Sequence, residues 1–264
     1  MKLHAIGMTD IGNIREENQD YFTILTAPCS DSGNTLLAVV ADGVGGGKAG
    51  RIASKATVET LKDLFLKGVN NYQEYMGEAI ERANDIIRDL AHDDACHGMA
   101  TTCTALIVKG NSVIVGHVGD SRAYILRDGE IFRLTEDQTL PRKLFKEGLI
   151  TEEELTHHPQ GNVLTNAVGS RKNINVDIIP AEIKVKDTFI LCSDGMYKYF
   201  TDDEIRDIVV KTGFESSPEH LIKTAKERGG EDNITVIVIH AGPDQLDKTT
   251  EILSTYIEEP TNNV

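Results

Sequence analysis

Four acidic dipeptides stand at the ends of the most apolar runs in this chain. Leu36-Leu37-Ala38-Val39-Val40-Ala41 leads into Asp42-Gly43, and Val113-Ile114-Val115-Gly116-His117-Val118 leads into Gly119-Asp120. Phe189-Ile190-Leu191-Cys192-Ser193 leads into Asp194-Gly195, and Asp232-Asn233 opens Ile234-Thr235-Val236-Ile237-Val238-Ile239. Short apolar runs bounded by turn residues read as buried strands. Carboxylates placed where buried strands emerge can converge at one edge of a sheet. Converging carboxylates repel one another unless hard cations lie between them. The pattern points to an all-oxygen site for Mg2+ or Mn2+, remote in sequence and close in space.

Charge narrows the partners. The 264 residues carry 42 acidic and 27 basic side chains, a formal net charge of −15. That argues against nucleic acid or an anionic membrane surface as the main partner. No stretch approaches the ~18 apolar residues of a membrane span. Met1-Lys2-Leu3-His4 opens directly into a strand-like pattern, without the apolar core of a signal peptide. The cysteines are Cys29, Cys96, Cys103 and Cys192, with no CxxC pair. Cys96-His97 with Cys103 lacks the second close pair that a structural zinc site needs. Reduced thiols and a cytoplasmic location are expected.

Strand patterns fall at 3–9, 21–26 and 35–41. Two helical patterns follow with apolar residues at i, i+3, i+4 and i+7. One spans 48–67, with Ala49, Ile52, Ala53, Ala56, Leu61, Leu64 and Phe65 on one side. The other spans 73–92, with Met76, Ala79, Ile80, Ala83, Ile86, Ile87, Leu90 and Ala91. Strands are expected at 101–109, 112–118, 122–127 and 130–134, separated by the turn signals Lys109-Gly110-Asn111 and Arg127-Asp128-Gly129. Residues 138–166 break the pattern as a polar excursion with short helices near 141–147 and 151–155. Strands resume at 174–185 and 187–193. Helices are expected at 202–211, with Thr201 and Glu204 as a capping box, and at 217–228. The last strand is 234–240. The segment from Gly242 places Leu246, Leu253, Tyr256 and Ile257 near helical spacing, reading as a terminal helix or a frayed end. Strand blocks alternate with helix pairs rather than single crossover helices, which favours two packed antiparallel sheets over a doubly wound parallel one.

The motifs carry a resemblance. Thr9-Asp10-Ile11-Gly12, Arg15, Asn18-Gln19-Asp20, Ala41-Asp42-Gly43-Val44-Gly45-Gly46, Gly98-Met99-Ala100-Thr101-Thr102, Val118-Gly119-Asp120-Ser121-Arg122-Ala123-Tyr124, Leu134-Thr135-Glu136-Asp137, His158-Pro159, Asn162-Val163-Leu164-Thr165, Cys192-Ser193-Asp194-Gly195 and Asp232-Asn233 with Thr235 follow one another in order. This series resembles the bacterial metal-dependent protein phosphatases (PPM, type 2C) over roughly residues 5–240. The resemblance implies an α+β fold, a four-layer α-β-β-α sandwich of two antiparallel sheets flanked by helix pairs. It implies a phosphatase domain over 1–241, with 138–166 as a flap subdomain, and a C-terminal tail over 242–264.

The resemblance also implies hydrolysis of phosphoserine and phosphothreonine in proteins at a binuclear Mn2+ or Mg2+ centre. By position, Asp42 would bridge the two ions and the Gly43 carbonyl would bind one. Asp194 and Asp232 would bind the other. Asp20 would act through metal-bound water, Asp120 would hold a third, weaker ion, and Arg15 would grip the substrate phosphate. Such members commonly reverse a cognate serine/threonine kinase, and a monomer is expected. The chemistry agrees: two metals can acidify a water and clamp phosphoryl oxygens, hard oxygen ligands suit both ions, and arginine offers a fork matched to phosphate.

Three departures stand out. Val44 and Gly47 occupy positions where relatives carry a histidine that can protonate the leaving oxygen, leaving a metal-bound water or Lys48 for that task. Gln19 stands where animal members carry a metal-binding Glu, and Gln138 replaces a histidine that often follows Asp137. The segment Asp42 to Ala49 mimics a P-loop, but an acid in the phosphate cradle and Ala49 in place of the hydroxyl argue against that reading. Taken singly, each Asp-Gly would be an ordinary turn. The rival function is a catalytically silent, PPM-like regulatory or binding module, which loss of Asp42, Asp194 or Asp232 would have favoured.

Overall fold

The computed structural model describes residues 1–29, 33–45, 48–69, 71–91, 98–243 and 251–256. Gly46, Gly47, Cys96, His97, Leu246 and Ile257 lie outside them.

The strand β3 (Gly33–Val44) explains the layering. Leu36, Ala38 and Val40 point to one face, Leu37, Val39 and Ala41 to the other, and all six are fully buried. Successive strand residues alternate faces, so such a run must be covered on both sides. The first set joins β1 (Lys2–Asp10), β2 (Asp20–Cys29), β5 (Cys103–Lys109), β6 (Ser112–Val118), β7 (Arg122–Arg127), β10 (Thr188–Cys192) and β11 (Ile234–Gly242) in the core between two sheets, through residues such as Phe22, Phe189 and Ile237. The second set packs beneath α1 (Ala49–Leu66) and α2 (Tyr72–Leu90). Strand β11 repeats the logic. Ile237, Ile239 and Ala241 face the inter-sheet core, while Ile234, Val236 and Val238 face α5 (Asp194–Tyr197) and α6 (Asp202–Glu227). Two sheets and two helical layers result.

One sheet has the order β12-β1-β11-β10-β7-β8, with β8 (Glu130–Arg133) and β12 (Glu251–Tyr256) at its edges. The other runs β2-β3-β5-β6-β9, with β9 at Asp177–Glu182, and the two-residue β4 (Ala100–Thr101) pairs with the end of β3. Pairing is antiparallel throughout except for β12, which lies parallel to β1 from His4↔Glu251 to Thr9↔Tyr256. This corrects the helical reading of the tail. The free edge of β1 offers a row of backbone donors and acceptors, and the β-compatible run Ile252-Leu253-Ser254-Thr255-Tyr256 satisfies them.

Helix details also depart from the periodicity. Ile52 and Leu90 are exposed, at 39% and 43%, and the buried stripe of α1 instead includes Ser54, Thr57 and Val58. The two helices expected after residue 201 are both present within α6, on either side of Gly213, whose non-helical φ of 75° is open to glycine. Its capping box, Thr201 with Glu204, is present. The excursion over 138–166 holds α3 (Leu140–Lys146) and α4 (Glu152–Thr156), the latter with no buried residue. Backbone bonds from Leu140 to Val163 and from Thr165 to Gln138, both 2.8 Å, close its root. Among the described residues no helix is long and apolar enough to cross a membrane.

Candidate metal centre

Topology delivers five aspartates to one edge of the sandwich. Asp20 starts β2 and lies directly opposite Asp42 near the end of β3. Asp120 follows β6, Asp194 opens α5 two residues beyond Cys192, the end of β10, and Asp232 lies two residues before Ile234, the first residue of β11. Asp20, Asp120 and Asp194 are buried.

Small residues permit the close approach. A Cβ on Gly43 would lie 2.2 Å from the Gly50 carbonyl oxygen, so this glycine lets the start of α1 lie against the end of β3. A Cβ on Gly195 would lie 2.1 Å from the Asn233 carbonyl oxygen, locking α5 against the start of β11. Backbone anchors hold the acids. The Asp42 carbonyl accepts from Thr101 Oγ1 at 2.8 Å and from the Thr102 amide at 2.9 Å, and the Asp42 amide donates to Thr102 Oγ1 at 2.9 Å. Thr102 Oγ1 also meets Ser121 Oγ at 2.7 Å, tying the Asp42 segment to the Asp120 turn. Asn233 staples the loop before Asp20: its Oδ1 accepts from the Gln19 amide at 2.8 Å, and its Nδ2 donates to the carbonyls of Ile11 and Glu17.

The carboxylates crowd one another. Burial first, then Asp20, Asp194, Asp120 and Asp232, push Asp42 well above the ordinary carboxylate range. Burial raises Asp20 to about 7, opposed by hydroxyl bonds from Thr235 and Ser193 and reinforced by Asp194 and Asp232. Burial and Asp194 raise Asp120 to about 8, with Lys198 acting against them. Like charges share this edge without enough counter-charge from the protein.

Two cations do reach it. Arg15 donates to Asp232 Oδ2 at 2.8 Å from a half-exposed position in the β1–β2 loop. Lys198 donates to Asp194 Oδ2. Two buried oxygens, Asp20 Oδ1 and Asp194 Oδ1, have no hydrogen-bond partner. An unpartnered buried carboxylate oxygen is costly. An oxygen-only donor set with such orphans fits a hard divalent cation. Among the described residues, no three acidic, imidazole or thiol groups enclose a single point closely enough to hold an ion as they stand, and Arg15 and Lys198 each engage an oxygen of one of the acids.

All six metal residues named from sequence therefore lie in the segments that meet here, with Arg15 beside them. Val44 is exposed, and the histidine lining the cavity next to Asp120 is His158. That cavity, about 720 Å3, lies between the 138–166 excursion and α5 and is also lined by Arg122, Tyr197 and Lys198. His117, expected as a packed imidazole, is buried, meets Thr104 Oγ1 at 3.0 Å and the Glu136 carbonyl at 3.1 Å, and is lowered by burial. Gln138 is structural: its Oε1 accepts from the Gly119 amide and from Asn166, and its Nε2 donates to Asp177. Cys103 is buried, which raises its thiol to about 12.

The sequence reading missed the hydroxyls of Ser193 and Thr235, which donate to Asp20 Oδ2 at 2.7 and 2.6 Å. It also missed Lys198. The i, i+4 spacing from Asp194 was the available signal, but α5, one turn long, was not anticipated.

Comparison with known proteins agrees with this architecture. The family model described as Protein phosphatase 2C matches residues 15–237. Protein phosphatase PhpP of Streptococcus pneumoniae is 36% identical over 237 residues, covering 88% of this chain and 95% of that protein. The serine/threonine phosphatase stp of Listeria monocytogenes is 32% identical over 244 residues, covering 90% and 95%. The solved S. agalactiae serine/threonine phosphatase superposes with a TM-score of 0.83 at 33% identity, over 90% of this chain and 99% of that one. The catalytic domain of PstP in complex with two manganese ions gives 0.79 at 30% identity, over 91% and 99%. The chain belongs to the protein phosphatase 2C family. It is a protein phosphatase with the α+β sandwich of that family.

Proposed function

We propose that the chain hydrolyses phosphoserine and phosphothreonine in proteins, using divalent ions held at the carboxylate edge. The observation that carries this reading is the convergence of five aspartates with two buried, unpartnered carboxylate oxygens. Asp42, the Gly43 carbonyl, Asp20, Asp194 and Asp232 would hold two Mn2+ or Mg2+ ions, with Asp120 facing any third. When bound, the ions supply Lewis acidity and an acidified water for attack on phosphorus.

The protein's own groups position the rest. Ser193 and Thr235 orient Asp20, and Thr101 and Thr102 fix the Asp42 backbone. Arg15, exposed and bonded to Asp232 by one nitrogen, is free to swing its fork onto a phosphate dianion. Its contact with Asp232 keeps it at the edge until substrate arrives. The enzyme acts in the cytoplasm as a monomer, on phosphorylated proteins, opposite a serine/threonine kinase.

The test is phosphate release from a phosphothreonine peptide in EDTA, then with Mn2+ or Mg2+ restored. Metal-dependent release is expected. Folded protein that releases none at any metal concentration would replace this reading with the silent regulatory module.

A further inference from the structure

We propose that the ammonium of Lys198 occupies the space between Asp194 and Asp120 that a third divalent cation would otherwise take, so that this chain loads two ions rather than three. The inference rests on the carboxylate edge being a metal centre and specifies how many ions it accepts.

Geometry assigns Lys198 this place. Asp194 and Lys198 stand at the two ends of the single turn α5, where the Lys198 amide donates to the Asp194 carbonyl at 3.1 Å. One turn of helix brings side chains at i and i+4 to the same face, and Lys198 Nζ donates to Asp194 Oδ2. The carboxylate is thereby divided. Oδ1, buried and unpartnered, is left for the core ions, while Oδ2 is taken by the ammonium. Lys198 and Asp120 line the same cavity beneath the flap.

The neighbouring guanidinium is not a substitute. Arg122 lines that cavity too, but it is committed to Asp137 by bonds of 3.0 and 2.7 Å and stacks 3.6 Å from the Tyr197 ring centroid. That stacking fixes the turn from which Lys198 extends. Charge then decides the count. Five carboxylates meet Arg15 and Lys198 at this edge. Two divalent ions added to those two cations already exceed five negative charges by one. A third would raise the excess to three and would have to sit against the lysine ammonium, where repulsion between near charges is strong.

The experiment counts metal. The full chain, stripped with EDTA and dialysed against excess Mn2+, is analysed by plasma mass spectrometry, and free Mn2+ is followed by electron paramagnetic resonance during titration. Wild type is expected to hold two ions. Lys198→Ala and Lys198→Gln are expected to hold three, the extra ion binding at least roughly tenfold more tightly than any third ion in wild type, because one repelling charge is gone. Lys198→Arg should stay at two, and Lys198→Ala combined with Asp120→Asn should return to two. Asp120→Asn alone should leave the wild-type count unchanged, which supplies the decision if neither neutral variant folds. Three ions in wild type, two in folded Lys198→Ala and Lys198→Gln, or loss of an ion in Asp120→Asn would each overturn the assignment. A wild type that binds none would instead overturn the metal-centre reading.

Discussion

At the root of the flap, Arg122 meets Asp137 through two bonds, adds a third to Tyr124 Oη at 3.1 Å, and covers the Tyr197 ring. At the carboxylate edge, Arg15 meets Asp232 through one bond, with its side chain 52% exposed. The chemistry is the same and the commitment is opposite. Burial alone would raise Asp137, but Arg122 outweighs it and holds the carboxyl below its ordinary range. A largely buried pair, with side chains 18% and 15% exposed and joined by two bonds, is a fixture: removing one member leaves the other charge short of partners and costs about 3–5 kcal/mol. An exposed single contact contributes at most about 1 kcal/mol and exchanges readily. The flap root is therefore scaffold, and the edge keeps a movable cation next to its acids.

The largest expected effect breaks the edge itself. Asp42→Asn should cut metal-dependent phosphate release by at least roughly a thousandfold, about 4 kcal/mol of barrier. Thermal melts of the same variant in EDTA should match or exceed wild type, because a crowded charge has been removed. A variant retaining wild-type turnover would remove Asp42 from the centre.

Next comes the fixture. Arg122→Ala should lower unfolding free energy by about 3–5 kcal/mol in urea melts. A loss below about 1 kcal/mol would mean that the two arginine pairs are energetically alike and the contrast is wrong.

A smaller effect tests the crowding. In EDTA, Asp20 and Asp120 bind protons more tightly in the folded state than in the unfolded chain, since both are raised from 3.8, to about 7 and about 8. Their contribution is fully present below the unfolded value and is lost as pH rises through the folded ones. The melting temperature of the metal-free protein should fall by a few degrees between about pH 5 and pH 9. Asp137 and Glu136, which are depressed, act in the opposite sense and only at lower pH. Saturating Mn2+ should flatten the slope, and an equal slope with and without metal would place these acids outside the ion site.

Arg15→Ala should disturb stability least, within about 0.5 kcal/mol. Its KM for a phosphorylated peptide should rise by roughly tenfold, with a smaller change in kcat. A change confined to melting temperature would make Arg15 a second fixture.

The acids were legible because each marks a local event, an aspartate at the end of an apolar run. The partners that aim them were not. Ser193 and Thr235 reach Asp20 across 173 and 215 residues of chain, and Asn233 reaches Gln19 across 214. A serine or asparagine carries no local sign of such a task. Lys198 gains its role only because the turn at Asp194 places it on an acid. The tail, whose sequence offered a terminal helix or a frayed end, shows the same limit, since the pairing of Glu251–Tyr256 depends on an open edge contributed by β1.

Two-residue alternation and helical periodicity, both properties of neighbouring residues, determined the strands, the helix pairs and hence the layered architecture. The order of motifs likewise determined the family and singled out the acids that meet at one edge. Only the tertiary structure decided which acid lies opposite which, which oxygens remain unpartnered, and which cations neutralise them. Those properties depend on distances between groups far apart in sequence, and in a buried cluster of like charges it is those distances that set the energy.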